Sequence, residues 1–244
     1  MNNIFLEIDQ LQREINSLRP LEASLLKQIK EYYRVGLTYS SNAIEGNSLT
    51  ESETKIVLEE GVTIGGKPLK DHYEAIGHGE AYDFFYSLVK DKTVQEEDIK
   101  NLHRIFYRRI DETNAGVYRN VRAIITGSKY PLPPPERIPE LMKKFMGGLQ
   151  KGREGFHPVE SAARAHKEFV FIHPFVDGNG RMARLLMNLI LMRDGFNIAI
   201  IPPVMRGEYI ASLEKAHTDD SVFIELIARM VRETQKDYLR LFKT

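Results

Sequence analysis

The chain of 244 residues contains no cysteine, which removes disulfides and thiol nucleophiles and fits a reducing compartment. It has no excess of either charge: 34 Lys and Arg stand against 34 Asp and Glu. A nucleic-acid groove or an anionic membrane surface as partner is therefore not indicated. No run of about 18 apolar residues occurs, and Glu7 and Asp9 stand where a targeting segment would be basic. Internal repeats and low-complexity tracts are absent too. A cytoplasmic protein with one sizeable core, and room for a small flanking subdomain, is the expectation.

What is present is helical periodicity. Ile4, Leu11, Ile15, Leu18, Leu25 and Ile29 recur near seven- or four-residue spacing. Pro20 divides this stretch into two helices or marks the first turn of the second. Such a stripe is core, or the face of a homodimer. Thr50 and Glu53 form a capping box that opens a helix through Leu58, closed by Gly61, and Thr93 with Glu96 opens another carrying Leu102, Ile105 and Phe106. Pro158 starts a helix leading to His173, and Gly195 closes the one that follows it. One stretch reads as strand: Val121 to Thr126, then Gly127-Ser128, then a proline-rich arm from Tyr130 to Pro135. It predicts a short hairpin at a sheet edge. The backbone of Ile124, Ile125 and Thr126 could receive an extended target segment there by β-augmentation, or the hairpin is simply structural. The fold class expected is mainly α with one small hairpin.

Residues 173–184 read HPFVDGNGRMAR. Gly178 and Gly180 permit positive φ, so successive N–H groups can converge on an anion. The apolar run from Leu185 to Met192 predicts a helix beginning near Gly180 or Arg181, whose N-terminus favours phosphate. Arg181 and Arg184 share one face of its first turn, where two guanidinium forks suit two further phosphates. Three phosphates imply a nucleoside triphosphate. Asp177 is a hard oxygen ligand suited to Mg²⁺. His173, before Pro174, should leave the upstream helix and face the loop as a general base. An EF-hand fails here because Arg181 and Asn188 fall where the fifth and twelfth ligands belong. No GxxxxGK[ST] loop occurs.

This segment matches the signature HPFx[DE]GNGRxxR of Fic domains residue for residue, and the stretch from Gly116-Val117-Tyr118-Arg119 to about Met142 resembles their flap. The resemblance covers most of residues 35–230 and implies a Fic-type helical core. It implies AMP transfer from ATP to a Ser, Thr or Tyr hydroxyl of a target protein, self-modification included. His173 would be the base and Asp177 the Mg²⁺ ligand, and Gly178 to Gly180, with the Asn179 side chain, would form the anion hole. Arg181 would take the β-phosphate side and Arg184 the γ-phosphate. Doc-type phosphotransferases depart from the intact GNGR and second arginine kept here. Fic relatives place base-contacting residues near Tyr209 and His217; Tyr209 reads equally as core, and His217 stands where relatives have Asn. His72, His78, His103, His157 and His166 form no metal-ligand grouping and read as structural.

Ser41-Asn-Ala-Ile-Glu45-Gly46 is a second motif. Glu45 is a carboxylate in the last turn of a short helix, with Gly46 as its left-handed cap. The dipole disfavours it there, so it is either solvated or partnered elsewhere. The segment is similar to the inhibitory pattern [ST]xxxE[GN] of autoinhibited Fic proteins, which implies that Glu45 pairs with Arg184 in the γ-phosphate space and that Ser41 anchors the helix. Residues 1–92 would then carry the inhibitory motif (about 40–47), and residues 93–244 the catalytic core with its flap (about 117–135). The alternatives are AMP removal by the same site and a non-catalytic nucleotide-binding interaction module.

Overall fold

The computed structural model describes residues 2–90, 94–150 and 155–242. Among these are ten α-helices and no strand: α1 (Asn2–Ser17), α2 (Ala23–Ile44), α3 (Glu51–Glu60), α4 (Leu69–Leu88), α5 (Glu96–Tyr107), α6 (Ile138–Gln150), α7 (Pro158–Ile172), α8 (Asn179–Arg193), α9 (Arg206–Lys215) and α10 (Ser221–Arg240). No described helix is long and apolar enough to cross a membrane.

Local chemistry sets most of these boundaries. Pro20 lies between α1 and α2. The Thr50 hydroxyl accepts from Glu53 N–H at 3.2 Å while the Glu53 carboxylate accepts from Thr50 N–H at 2.7 Å, so α3 opens on a reciprocal box. Thr93 lies outside the described residues. α5 opens instead on Gln95, whose N–H donates to Asp98 at 2.7 Å, and its first turn carries Glu96, Glu97 and Asp98 toward the positive end of the dipole. α2 has 22 residues rather than being short. Its length carries Ser41 and Glu45 from the bundle's periphery to its centre.

α8 is that centre. It is buried on all sides, as a helix apolar around most of its circumference must be. Leu185, Leu186 and Leu189 join Phe85, Phe106, Phe169 and Phe175 in one core, while Met187 and Leu191 join Ile8, Phe223 and Ile227 in another. Each such side chain contributes about 1.5–3 kcal/mol by burial. α1 lies along α10, where Gln235 donates to Ile8 O at 3.3 Å and to Gln12 Oε1 at 3.0 Å. Ile15 and Ile29 of the N-terminal stripe are thus intramolecular core.

The expected hairpin does not form. Residues 121–134 run as an irregular loop with one turn, closed by Ser128 N–H to Ile125 O at 3.1 Å. Pro131, Pro133, Pro134 and Pro135 have no N–H to donate to a ladder. Lys129 N–H goes to Glu214 Oε1 at 2.8 Å and Tyr130 N–H to Ser128 Oγ at 3.2 Å. A guanidinium takes the place of the missing ladder: buried Arg119 donates to Val121 O at 2.9 Å on one arm and Pro133 O at 2.7 Å on the other.

Candidate active site

The site is assembled where α7 ends and α8 begins. His173 caps α7 with φ 51°, the one positive φ outside glycine among the described residues, a conformation costing about 1–2 kcal/mol for a residue with a β-carbon. Pro174 forbids continued helix, and the left-handed turn swings the imidazole off the helix. His173 Nδ1 lies 3.3 Å from Val170 O. Donation there assigns the ring proton to Nδ1 and leaves Nε2 as a bare acceptor. Burial lowers the His173 pKa below 6.5, outweighing the Val170 contact, so the imidazole is neutral at neutral pH.

The loop after it is fastened at several points. Asn179 Oδ1 accepts from Phe175 N–H, and its Nδ2 donates to Phe175 O, both at 2.9 Å. Its side chain closes the loop, and the Gly178 N–H donates to Asp177 Oδ1 at 2.6 Å. Buried Phe175 stacks on His103 with centroids 3.8 Å apart. His103 Nδ1 accepts from Gly116 N–H at 2.8 Å, so its Nε2–H donates to Asp177 O at 3.1 Å. Burial holds this imidazole neutral, with a pKa near 4. Gly178, at φ 78°, begins α8 without a side-chain cap, and a β-carbon there would lie 2.8 Å from the Phe106 ring. The first turn of α8 therefore presents uncapped donors.

Onto this turn α2 brings Glu45. A β-carbon added to Gly180 would lie 2.4 Å from Glu45 Oε1, which puts a carboxylate against the helix N-terminus, where an anion is favoured. Arg184 Nη2 donates to Glu45 Oε1 at 2.8 Å and to Ser41 O at 2.8 Å, its Nε to Ser41 Oγ at 2.9 Å, and its Nη1 to Tyr209 OH at 3.2 Å. Tyr209 OH in turn meets His166 Nε2 at 3.0 Å. Burial opposes the Glu45 charge, but Arg184 outweighs it and lowers the carboxyl pKa. Ser41 and Glu45, four residues apart, thus meet Arg184, which is distant from both in sequence, at one point.

Arg181 stacks over Phe106 at 4.7 Å, with Nη1 2.8 Å from a carboxylate of Glu74 on α4 and Nη2 3.4 Å from Asp177 Oδ1. Asp177 is 43% exposed in its side chain. No described group of three or more His, Asp or Glu is placed to hold a metal by itself. Tyr209 is core, as its contacts with Arg184 and His166 require. His217 is stacked between Phe171 and Tyr130, each at 3.7 Å. His78 and His166 are fully buried and held neutral by burial. Ile124 is 92% exposed and Thr126 is exposed, while Ile125 is half-buried; the three lie on the loop rather than on a strand.

Three residues to which the sequence assigns no role in the site belong to this assembly: Glu74, His103, which reads as structural, and Arg119, which stands in the flap resemblance. Arg119 also donates through Nε to His173 O at 2.8 Å, and its N–H donates to Pro174 O at 2.8 Å, so it ties both arms of the 121–134 loop to the histidine. Its partners are carbonyls, which leave no trace in a sequence. Arg119→Ala is expected to leave the helices intact by circular dichroism while amide exchange across residues 121–130 speeds up about tenfold or more. Unchanged exchange there would remove the clamp.

The profile of the Fic/DOC family matches residues 93–191. The chain is 37% identical over 237 residues to a protein adenylyltransferase Fic of Nematostella vectensis, covering 96% of this chain and 55% of that one. It is 35% identical over 242 residues to protein adenylyltransferase fic-1 of Caenorhabditis elegans, covering 97% and 47%. It thus spans about half the length of the curated relatives it matches. A solved segment of Fic-1 from C. elegans superposes with a TM-score of 0.89 at 33% identity, covering 99% of this chain and 72% of that segment.

Proposed function

We propose, because this chain belongs to the Fic/DOC family, that it is a protein adenylyltransferase moving AMP from Mg·ATP to a Ser, Thr or Tyr hydroxyl of a target protein, and that Glu45 holds this activity down. Residues 1–92 then carry the regulatory segment and 93–244 the catalytic one. The observation that supports this reading most is a neutral imidazole with a bare Nε2, next to a helix N-terminus whose anion position is taken by Glu45.

In this reading His173 Nε2 takes the proton of the target hydroxyl as that oxygen attacks the α-phosphorus and the bond to pyrophosphate breaks. The N–H groups from Gly178 to Gly180 stabilise the charge that develops on the α-phosphate, with Asn179 shaping the loop. Arg181 takes the β-phosphate side and Arg184 the γ-phosphate once Glu45 releases it. The half-exposed Asp177 carboxylate fits a Mg²⁺ ion that arrives with phosphates and needs only one or two protein carboxylates. Bound there, the ion neutralises phosphate charge. The loop residues Ile124, Ile125 and Thr126 present backbone to the target; the exposure of Ile124 supports this.

The chemistry is tested by giving Glu45→Gly protein in a host lysate either α-labelled or γ-labelled ATP. Label carried into protein from the α-position alone is the expected result, and bands at the size of the chain itself would mark self-modification. Label from the γ-position would replace AMP transfer with phosphoryl transfer. A second reading, AMP removal by the same site, is favoured by one feature: only Glu45 Oε1 meets Arg184, and the side chain is 36% exposed, so the carboxylate can also orient a water. Under that reading Glu45→Gly abolishes release of AMP from a modified target.

A further inference from the structure

We infer that Glu74 is a positioning residue for nucleotide binding, acting through Arg181. This rests on the adenylyltransferase reading and goes beyond the signature, since Glu74 lies in α4 and belongs to neither motif.

The carboxylate is almost fully buried, with its side chain 7% exposed, and it faces a guanidinium that is 4% exposed. Charges that deep need partners. Glu74 Oε1 is 2.8 Å from Arg181 Nη1. Yet Arg181 Nη1 and Nε have no aligned hydrogen-bond acceptor among the described residues. Glu74 therefore balances the charge of Arg181 without saturating its donors. Phe106 under the guanidinium and Asp177 beside it complete the mount. Lys70 is the other cation at this spot, 3.8 Å from Glu74 and 4.0 Å from Asp177, with its side chain 58% exposed; it is too solvated to hold the pair alone. A planar fork whose Nη2 reaches Asp177 at 3.4 Å while Nε and Nη1 lack aligned acceptors suits a phosphate that arrives later.

The second carboxylate oxygen faces the other way. Glu74 Oε2 accepts from Asn47 Nδ2 at 2.9 Å, and Glu74 O accepts from Asn42 Nδ2 at 3.3 Å. Asn42 and Asn47 flank Glu45. One side chain thus joins the segment that carries the inhibitory carboxylate to the arginine proposed to meet the β-phosphate side. Glu74 touches no reacting atom; its effect passes through Arg181.

The test measures the affinity of the Glu45→Gly protein for a non-hydrolysable ATP analogue with Mg²⁺, by calorimetry, with and without Glu74→Gln. Glutamine keeps an oxygen for Asn47 and removes the charge facing Arg181. Affinity is expected to fall about tenfold, the scale on which a misplaced binding group costs. In an Arg181→Ala background the same substitution should change affinity less than twofold, since non-additivity marks residues that act as a unit. Glu74→Asp, which restores the charge, should recover part of the loss. Equal losses in both backgrounds would reveal a general structural role and overturn the inference, as would no loss in either. Should Glu45→Gly protein bind no analogue at all, the adenylyltransferase reading falls and takes this inference with it.

Discussion

Glu45→Gly is expected to raise AMP incorporation into protein on the order of a hundredfold over the unsubstituted chain, the factor by which a competent state is scarce when a few kcal/mol hold it closed. The carboxylate is the only one of the Arg184 contacts that the substitution removes. Ser41 Oγ, Ser41 O and Tyr209 OH still hold the guanidinium, so Arg184 stays in place with one donor free. Gly180 no longer faces an oxygen that would sit 2.4 Å from its missing β-carbon, and the first turn of α8 opens to phosphate. The backbone tolerates the change, because Glu45 has φ −87° and lies outside the helix proper, as its C-cap. Initial rates with α-labelled ATP, measured together with nucleotide affinity, check this. Both should improve, since a carboxylate in the γ-phosphate space obstructs binding before it obstructs chemistry. A rate that stays at the level of the unsubstituted chain, on every target tried, would sink the inhibitory role.

The second large effect concerns His173. His173→Ala in the Glu45→Gly background should lower the transfer rate about a thousandfold, within the range for loss of a general base, and leave ATP affinity within about twofold, because no phosphate contact is removed. The pH profile carries independent information. Burial is the main cause that lowers the His173 pKa below its ordinary 6.5. The base form is the neutral one, so a lowered pKa widens the active range toward acid. kcat/KM should be flat above neutral pH and decline only below 6.5, at about tenfold per pH unit once the imidazole is protonated. A break above 7 would mean that some other group titrates, and an alanine variant with full activity would remove the base altogether.

Much of the site was legible because its backbone chemistry is local. The glycines at 178 and 180, the Pro174 that ends helix at His173, and the two arginines a turn apart on α8 are all decided within a few residues of one another. The capping box at Thr50 and the stop at Gly61 were legible for the same reason. No hairpin forms because the strand-favouring residues from Val121 to Thr126 count only if a partner arm can donate, and the prolines that follow cannot. The competing interaction, Arg119 bridging Val121 O and Pro133 O, involves main-chain carbonyls that every sequence contains. Glu74 was invisible for a related reason: a glutamate inside a helix reads as a solvated face until another helix buries it.

The sequence by itself determined the box that opens α3, the stop at Gly61, the turn at His173, the phosphate-facing loop and the identity of the groups able to do chemistry there, because backbone conformation is set by neighbours within a turn or two. Only the tertiary structure decided which charges meet. α2 had to be long enough to bring Glu45 and Ser41 to Arg184, α4 had to pack against α8 for Glu74 to reach Arg181, and α5 had to place His103 under Phe175. Those meetings depend on how buried faces pack between distant elements, and the strength of each ion pair follows from the burial that packing creates. A local pattern can supply an arginine at a helix N-terminus; whether a carboxylate occupies it is settled by the fold.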